Sequence, residues 1–233
     1  MILKSFGCSF IFGTDLHDDN RTGPWPLPSK HTWPALVAKD LGLDYACYAK
    51  GGAGNLLILD RVLCHAATNQ QDLFVINWTW SDRFDYIDVV NPNPLHDWRT
   101  YTPMSEDTTA NIYYKYLHSE TKDKLCTLTY IKTAVSTLLE KRIPFIMTYM
   151  DEIIFDTQYH THTSIYDLQL GVKPWMSQFQ DRDFLTWSRA QGFPISDTLH
   201  PLEQAHRAAA DHVLVNLDQF VKNSQPGLFV SKK

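Results

Sequence analysis

The sequence predicts an α/β fold: a three-layer α/β/α sandwich with a central, mostly parallel sheet. Three observations carry that expectation. Short apolar runs alternate along the chain with longer segments of helical periodicity. Residues 72–78 (DLFVINW) and 144–150 (PFIMTYM) are apolar almost throughout, as in strands covered on both faces. Glycine and proline punctuate the junctions between these segments. With 233 residues the chain is long enough for one domain with a sizeable core, and residues 1–233 are read as a single unit.

The elements follow in order. Residues 1–6 form a buried strand, and Gly7 to Gly13 bound a turn. Residues 15–30, rich in Pro, Gly, Asp and Asn, read as a loop. Thr32 suits an N-cap and Pro34 a first helical turn, so a helix runs to about Leu41, where Gly42 ends it. A second strand is expected at 44–48, a glycine loop at 50–55 and a helix over about 56–68. The strand at 72–78 is the strongest. A helix over 124–141, the strand at 144–150 and a final helix over 200–221 complete the alternation. Segments 82–122 and 155–195 fit it poorly and read as insertions on the active-site side, where long loops usually serve function. The first contains Asn91-Pro92-Asn93-Pro94 and several aromatic residues that are candidates to wall a cleft.

Composition narrows the partners. Hydrophobic residues make up 44%, charged residues 20%, and the net charge is -5, which gives no basic footprint for nucleic acid. The Lys232-Lys233 pair is too short to count as a charged tail. No apolar run approaches a membrane span, and the stretch before Gly7 is too short for a signal peptide, so a cytoplasmic protein without membrane partners is expected. Cys8, Cys47, Cys64 and Cys126 are scattered and read as reduced thiols. His160 and His162 do not match a common zinc spacing, and neither metal nor organic cofactor is expected. His206 and His212 are expected on the solvated side of the last helix.

Two motifs at opposite ends of the chain carry chemistry. Gly7-Cys8-Ser9-Phe10-Ile11-Phe12-Gly13 follows the first strand, and Ser196-Asp197-Thr198-Leu199-His200-Pro201 opens the last helix. Together they supply a serine, an aspartate and a histidine: a nucleophile, a group that orients the base, and the base. In an open parallel sheet the site lies beyond the carboxyl ends of the strands. Ser9, Gly52 and Ser81 all follow expected strands and would gather at that edge.

Gly7-x-Ser9-x-x-x-Gly13, the glycine loop after the second strand, and Asp197-x-x-His200-Pro201 resemble the SGNH/GDSL hydrolase superfamily. The likeness spans nearly the whole chain in block order. Cys8 stands where that family usually has aspartate. The third block, usually Gly-x-Asn-Asp, is here Thr79-Trp80-Ser81-Asp82. The resemblance implies Ser9 as nucleophile, His200 as base and Asp197 as the residue orienting it. It implies an oxyanion hole from Ser9, Gly52 and Ser81, with Gly51 as the rival of Gly52. Trp80 and Arg83 are candidate substrate-binding residues, the latter for an anionic group. The expected activity is cleavage of a carboxylic ester, such as an O-acetyl group on a carbohydrate or small molecule, through acyl-Ser9. The altered third block keeps two alternatives open: a glycan-binding or structural (virion-associated) module with weakened catalysis, and an acyltransferase.

Overall fold

The computed structural model describes residues 1–19, 26–67, 72–87 and 98–223. The Asn91–Pro94 turn and the Lys232-Lys233 pair lie outside them.

The described residues form a three-layer α/β/α sandwich. The chain runs β1 (Ile2–Phe6), α1 (Ser9–Phe12), α2 (Trp33–Asp40), β2 (Asp44–Cys47), α3 (Asn55–Ala66) and β3 (Leu73–Trp78). A hairpin follows, β4 (Phe84–Ile87) and β5 (Trp98–Tyr101), then α4 (Thr108–Tyr116) and α5 (Glu120–Glu140). After β6 (Phe145–Tyr149) come α6 (Thr163–Val172), α7 (Phe184–Ala190), α8 (Glu203–Val215) and α9 (Leu217–Phe220).

The main sheet has the order β2-β1-β3-β6 and is parallel throughout. Every residue of β3 is buried, which explains why its sequence is apolar without alternation. Helix α2 packs on β1 and β2 and is backed by α8, whereas α3 packs on β1 and β3 and is backed by α5. The chain goes from β1 outward to β2, then crosses back over β1 to β3. The switch point therefore lies between the carboxyl ends of β1 and β3, where open parallel sheets form their sites.

The 82–122 segment holds more structure than a loop. Strands β4 and β5 pair antiparallel, and the Asp85 carboxylate accepts hydrogen bonds from the N–H groups of Gly54 and Leu57 and the Thr100 hydroxyl. This stitches the hairpin onto the first turn of α3. A Cβ on Gly54 would lie 2.4 Å from Asp85 Oδ2, so only glycine fits there. Most aromatics of this segment pack on one another instead of walling a cleft. Phe84 stacks on Tyr113 at 4.0 Å, and Trp98, Tyr101 and Tyr113 are buried.

The C-terminal region also differs from its expectation. The last helix begins at Glu203, not His200, because Pro201 pairs with Ile195 in an antiparallel bridge. It stops at Val215, and α9 follows as a separate turn. His206 is not on a solvated face. It is 2% exposed and its Nδ1 accepts the Trp33 N–H at 3.0 Å, tying α8 to the start of α2. Burial outweighs the nearby Glu203 carboxylate and holds its pKa down to about 3. Among the described residues, no helix is long and apolar enough to cross a membrane.

Candidate functional site

Ser9 opens α1 directly after the first strand. The helix is a single turn, closed by Gly13 at φ +89°, and a Cβ there would sit 2.4 Å from Ser29 Cβ. Glycine is therefore required at that corner. Ser9 is 8% exposed, and its place in the first helical turn leaves its N–H without an intrahelical acceptor.

Ser9 and His200 line one cavity of about 440 Å³. The neighbouring ring of Phe10 lies 5.0 Å from the His200 ring. Trp80, Asp82 and Arg83 from the loop after β3 form one wall, Thr102, Pro103 and Met104 another, and Leu185 and Leu199 add apolar surface. The Arg83 guanidinium lies 4.9 Å above the Trp80 ring, and its Nη1 donates to the Ala53 carbonyl at 2.8 Å. Trp80 and Arg83 thus line the same cavity as Ser9 and His200.

The acid beside the histidine is a correction. His200 Nδ1 lies 2.9 Å from Asp15 Oδ2, while Asp197 is exposed. The reason is local. Ser196 N–H donates to His200 O and Leu199 N–H to Ser196 O, closing a tight turn in which Leu199 takes φ +67°. Asp197 lies on that turn and faces solvent, so its three-residue spacing from His200 does not bring the side chains together. Asp15 fills the position from the loop after α1. Its Oδ2 also accepts from the hydroxyls of Ser196 (2.8 Å) and Thr198. Burial alone would raise the Asp15 pKa. The hydrogen bonds from Thr198, Ser196 and His200 outweigh it and hold the carboxyl far below the usual range. Asp15 takes φ +68°, a conformation aspartate tolerates better than most residues. Sequence reasoning left Asp15, Ser196 and Thr198 without roles; the only signal was an acid six residues after Ser9.

The expected oxyanion donors beyond Ser9 are also corrected. Ser81 donates both its N–H (2.8 Å) and its hydroxyl (2.7 Å) to Asp151 Oδ2. Trp78 pairs with Tyr149 in the sheet, so the chain leaves β3 and β6 at the same level and Ser81 meets Asp151 there. Of the third block, Trp80 and Asp82 reach the Ser9 cavity. Gly51 and Gly52 are exposed, and neither lines the cavity. The Lys50 N–H bonds to Gly7 O and the Ala53 N–H to Lys50 O, which turns the intervening glycines outward. Asn55 has a positional role instead: its side chain accepts from Thr79 N–H and donates to Thr79 O, clipping the loop after β3 to α3.

No family model matches this sequence, and no curated protein sequence matches it. Solved structures do. The psychrotrophic esterase EstA from Pseudoalteromonas sp. is similar over 94% of this chain and 97% of that one, with a TM-score of 0.53 and 10% identity. TesA is similar over 94% and 99%, with a TM-score of 0.50 and 14% identity. A family two carbohydrate esterase of Corynascus thermopiles (Myceliophthora fergusii), with a carbohydrate-binding domain, is similar over 93% of this chain and 64% of that one, at 0.50 and 17%. At these identities the shared property is the fold, and this chain has the three-layer architecture of those proteins.

Proposed function

We propose that this chain is a serine hydrolase of the SGNH/GDSL type that cleaves carboxylic esters through an acyl-Ser9 intermediate. One observation carries the reading: Ser9 and His200 line a common cavity while an ionised Asp15 holds Nδ1 of that histidine. With Nδ1–H donated to Asp15, the imidazole presents Nε2 as the base. Nε2 takes the proton as Ser9 Oγ attacks the acyl carbon. The resulting oxyanion is held by the Ser9 N–H. Nε2 returns the proton to the leaving alcohol as the C–O bond breaks. Water then repeats the sequence on acyl-Ser9 and releases the acid.

The apolar surface of Phe10, Leu185 and Leu199 suits a short acyl group, and Trp80 beside Arg83 suits a sugar or a polar alcohol portion. An O-acetylated carbohydrate is the substrate class this combination favours. A fluorophosphonate probe tests the mechanism: one label per chain at Ser9, absent in Ser9→Ala, with an ester panel including acetylated sugars run beside it. A folded sample that takes no label supports a second reading, a binding module. That reading draws on the positions of Gly52 and Ser81, which leave the oxyanion site with fewer donors than the family pattern implies. Transfer of the acyl group to added sugar or alcohol in preference to water marks a transferase.

A further inference from the structure

Behind the Asp15–His200 pair, His17, Asp18 and His31 converge, each offering a ligand atom within 4.8 Å of the others. From this arrangement we infer a binding site for a divalent transition metal of the zinc type, held by His17, Asp18 and His31.

Three independent features point to a cation. The two imidazole rings lie only 4.2 Å apart, and His31 Nε2 is 3.9 Å from Asp18 Oδ2. Asp18 Oδ1 is enclosed and accepts no hydrogen bond, whereas Oδ2, the oxygen nearer His31, accepts the Lys30 N–H at 2.9 Å, which fixes the carboxylate and leaves one oxygen unsatisfied. His17 is pre-oriented from outside the cluster: Glu203 Oε1 accepts both its backbone N–H (2.7 Å) and its Nδ1 (3.0 Å). A carboxylate on one ring nitrogen fixes the tautomer and leaves Nε2 to bind metal, the usual support of a metal-ligating histidine.

Binding draws the three side chains together. Ligands about 2.1 Å from a tetrahedral zinc lie about 3.4 Å from one another, so the widest pair closes by about 1.4 Å through rotation of the exposed histidine side chains. Two imidazoles and one carboxylate suit zinc or cobalt over calcium or magnesium, which prefer oxygen ligands alone. The histidine side chains are 62% and 42% exposed, which gives the ion access from solvent. A metal here ties the loop carrying Asp15 to the loop before α2 and, through Glu203, to the start of α8. The site serves the shape of the catalytic edge without entering it.

Co²⁺ and Zn²⁺ titrations of chelator-stripped protein test the assignment. One Co²⁺ per chain is expected, with visible d–d absorption, displacement by Zn²⁺ and a thermal midpoint raised by about 5 °C at metal well above Kd. His31→Ala and His17→Ala each weaken binding at least about tenfold, while their midpoints in chelator stay near wild type. Silence of the wild-type chain at about 100 µM metal overturns the site, as does binding that survives both substitutions.

Discussion

The sharpest test of the catalytic geometry is a comparison of two aspartates. Asp15→Asn removes the charge beside His200 and changes the hydrogen bonding in a defined way. Asp15 Oδ2 now accepts from Nδ1 and from two hydroxyls. An amide nitrogen turned toward Nδ1 donates instead, which drives the imidazole proton to Nε2 and removes the base. An amide oxygen turned there keeps the tautomer but loses the charge that stabilises the imidazolium. Loss of the acid in a serine triad lowers kcat by about 10⁴, or about 5.5 kcal/mol of transition-state stabilisation. Asp197→Asn, at the exposed turn, leaves kcat within about twofold. Turnover of p-nitrophenyl acetate by both variants reads the difference, with a thermal melt to confirm that each is folded. A collapse of kcat in Asp197→Asn with Asp15→Asn near wild type refutes the assignment and returns the acid to the position the spacing suggested.

Two further outcomes follow from the packing. Ser81→Ala removes one of two donors to Asp151 Oδ2, so it costs about 1–2 kcal/mol of stability in a urea melt while kcat stays within about threefold; a hundredfold loss of kcat would restore Ser81 as an oxyanion donor. His206 has a folded pKa of about 3 against 6.5 for the free side chain, so between those values the unfolded chain binds a proton that the folded chain excludes. Stability therefore falls as pH drops below 6.5, by about 2 kcal/mol from this group between pH 7 and pH 5, and is unaffected by it above pH 7. Urea melts at both pH values on wild type and His206→Gln check this, since the variant loses that part of the slope.

The fold was legible because burial leaves its mark on single segments. Strand β3 is covered on both faces, and its six residues are apolar apart from Asn77, which bonds to Thr148 on the neighbouring strand. Helix α2 carries its start and stop signals in sequence. The placement of the candidate site residues was legible where one residue type and one junction sufficed. Ser9 leaves β1 at the sheet edge, and His200 lies just before the final helix. The errors came where a side chain's direction depends on a turn that composition does not reveal. Asp197 and His200 have the right spacing for a shared helical turn, but the Ile195–Pro201 bridge makes the segment a tight loop.

That failure has a physical consequence for how this edge holds together. Three short polar side chains, Ser196, Thr198 and Asp15, bond to His200 and to one another where one aspartate before the histidine was expected. Ser196 is the pivot: its hydroxyl accepts the His200 N–H at 3.0 Å and donates to Asp15 at 2.8 Å, so the conformation of the turn and the position of the acid are set by one group. The Asp15 backbone N–H is in turn held by Asp19 at 2.8 Å, and His17 by Glu203, so the loop carrying the acid is fastened at both sides of Asp15. An acid supplied by a separate loop is less tightly coupled to the histidine by chain connectivity than one three residues away. Its placement must come from such fastenings, and a cation at His17, Asp18 and His31 would add to them.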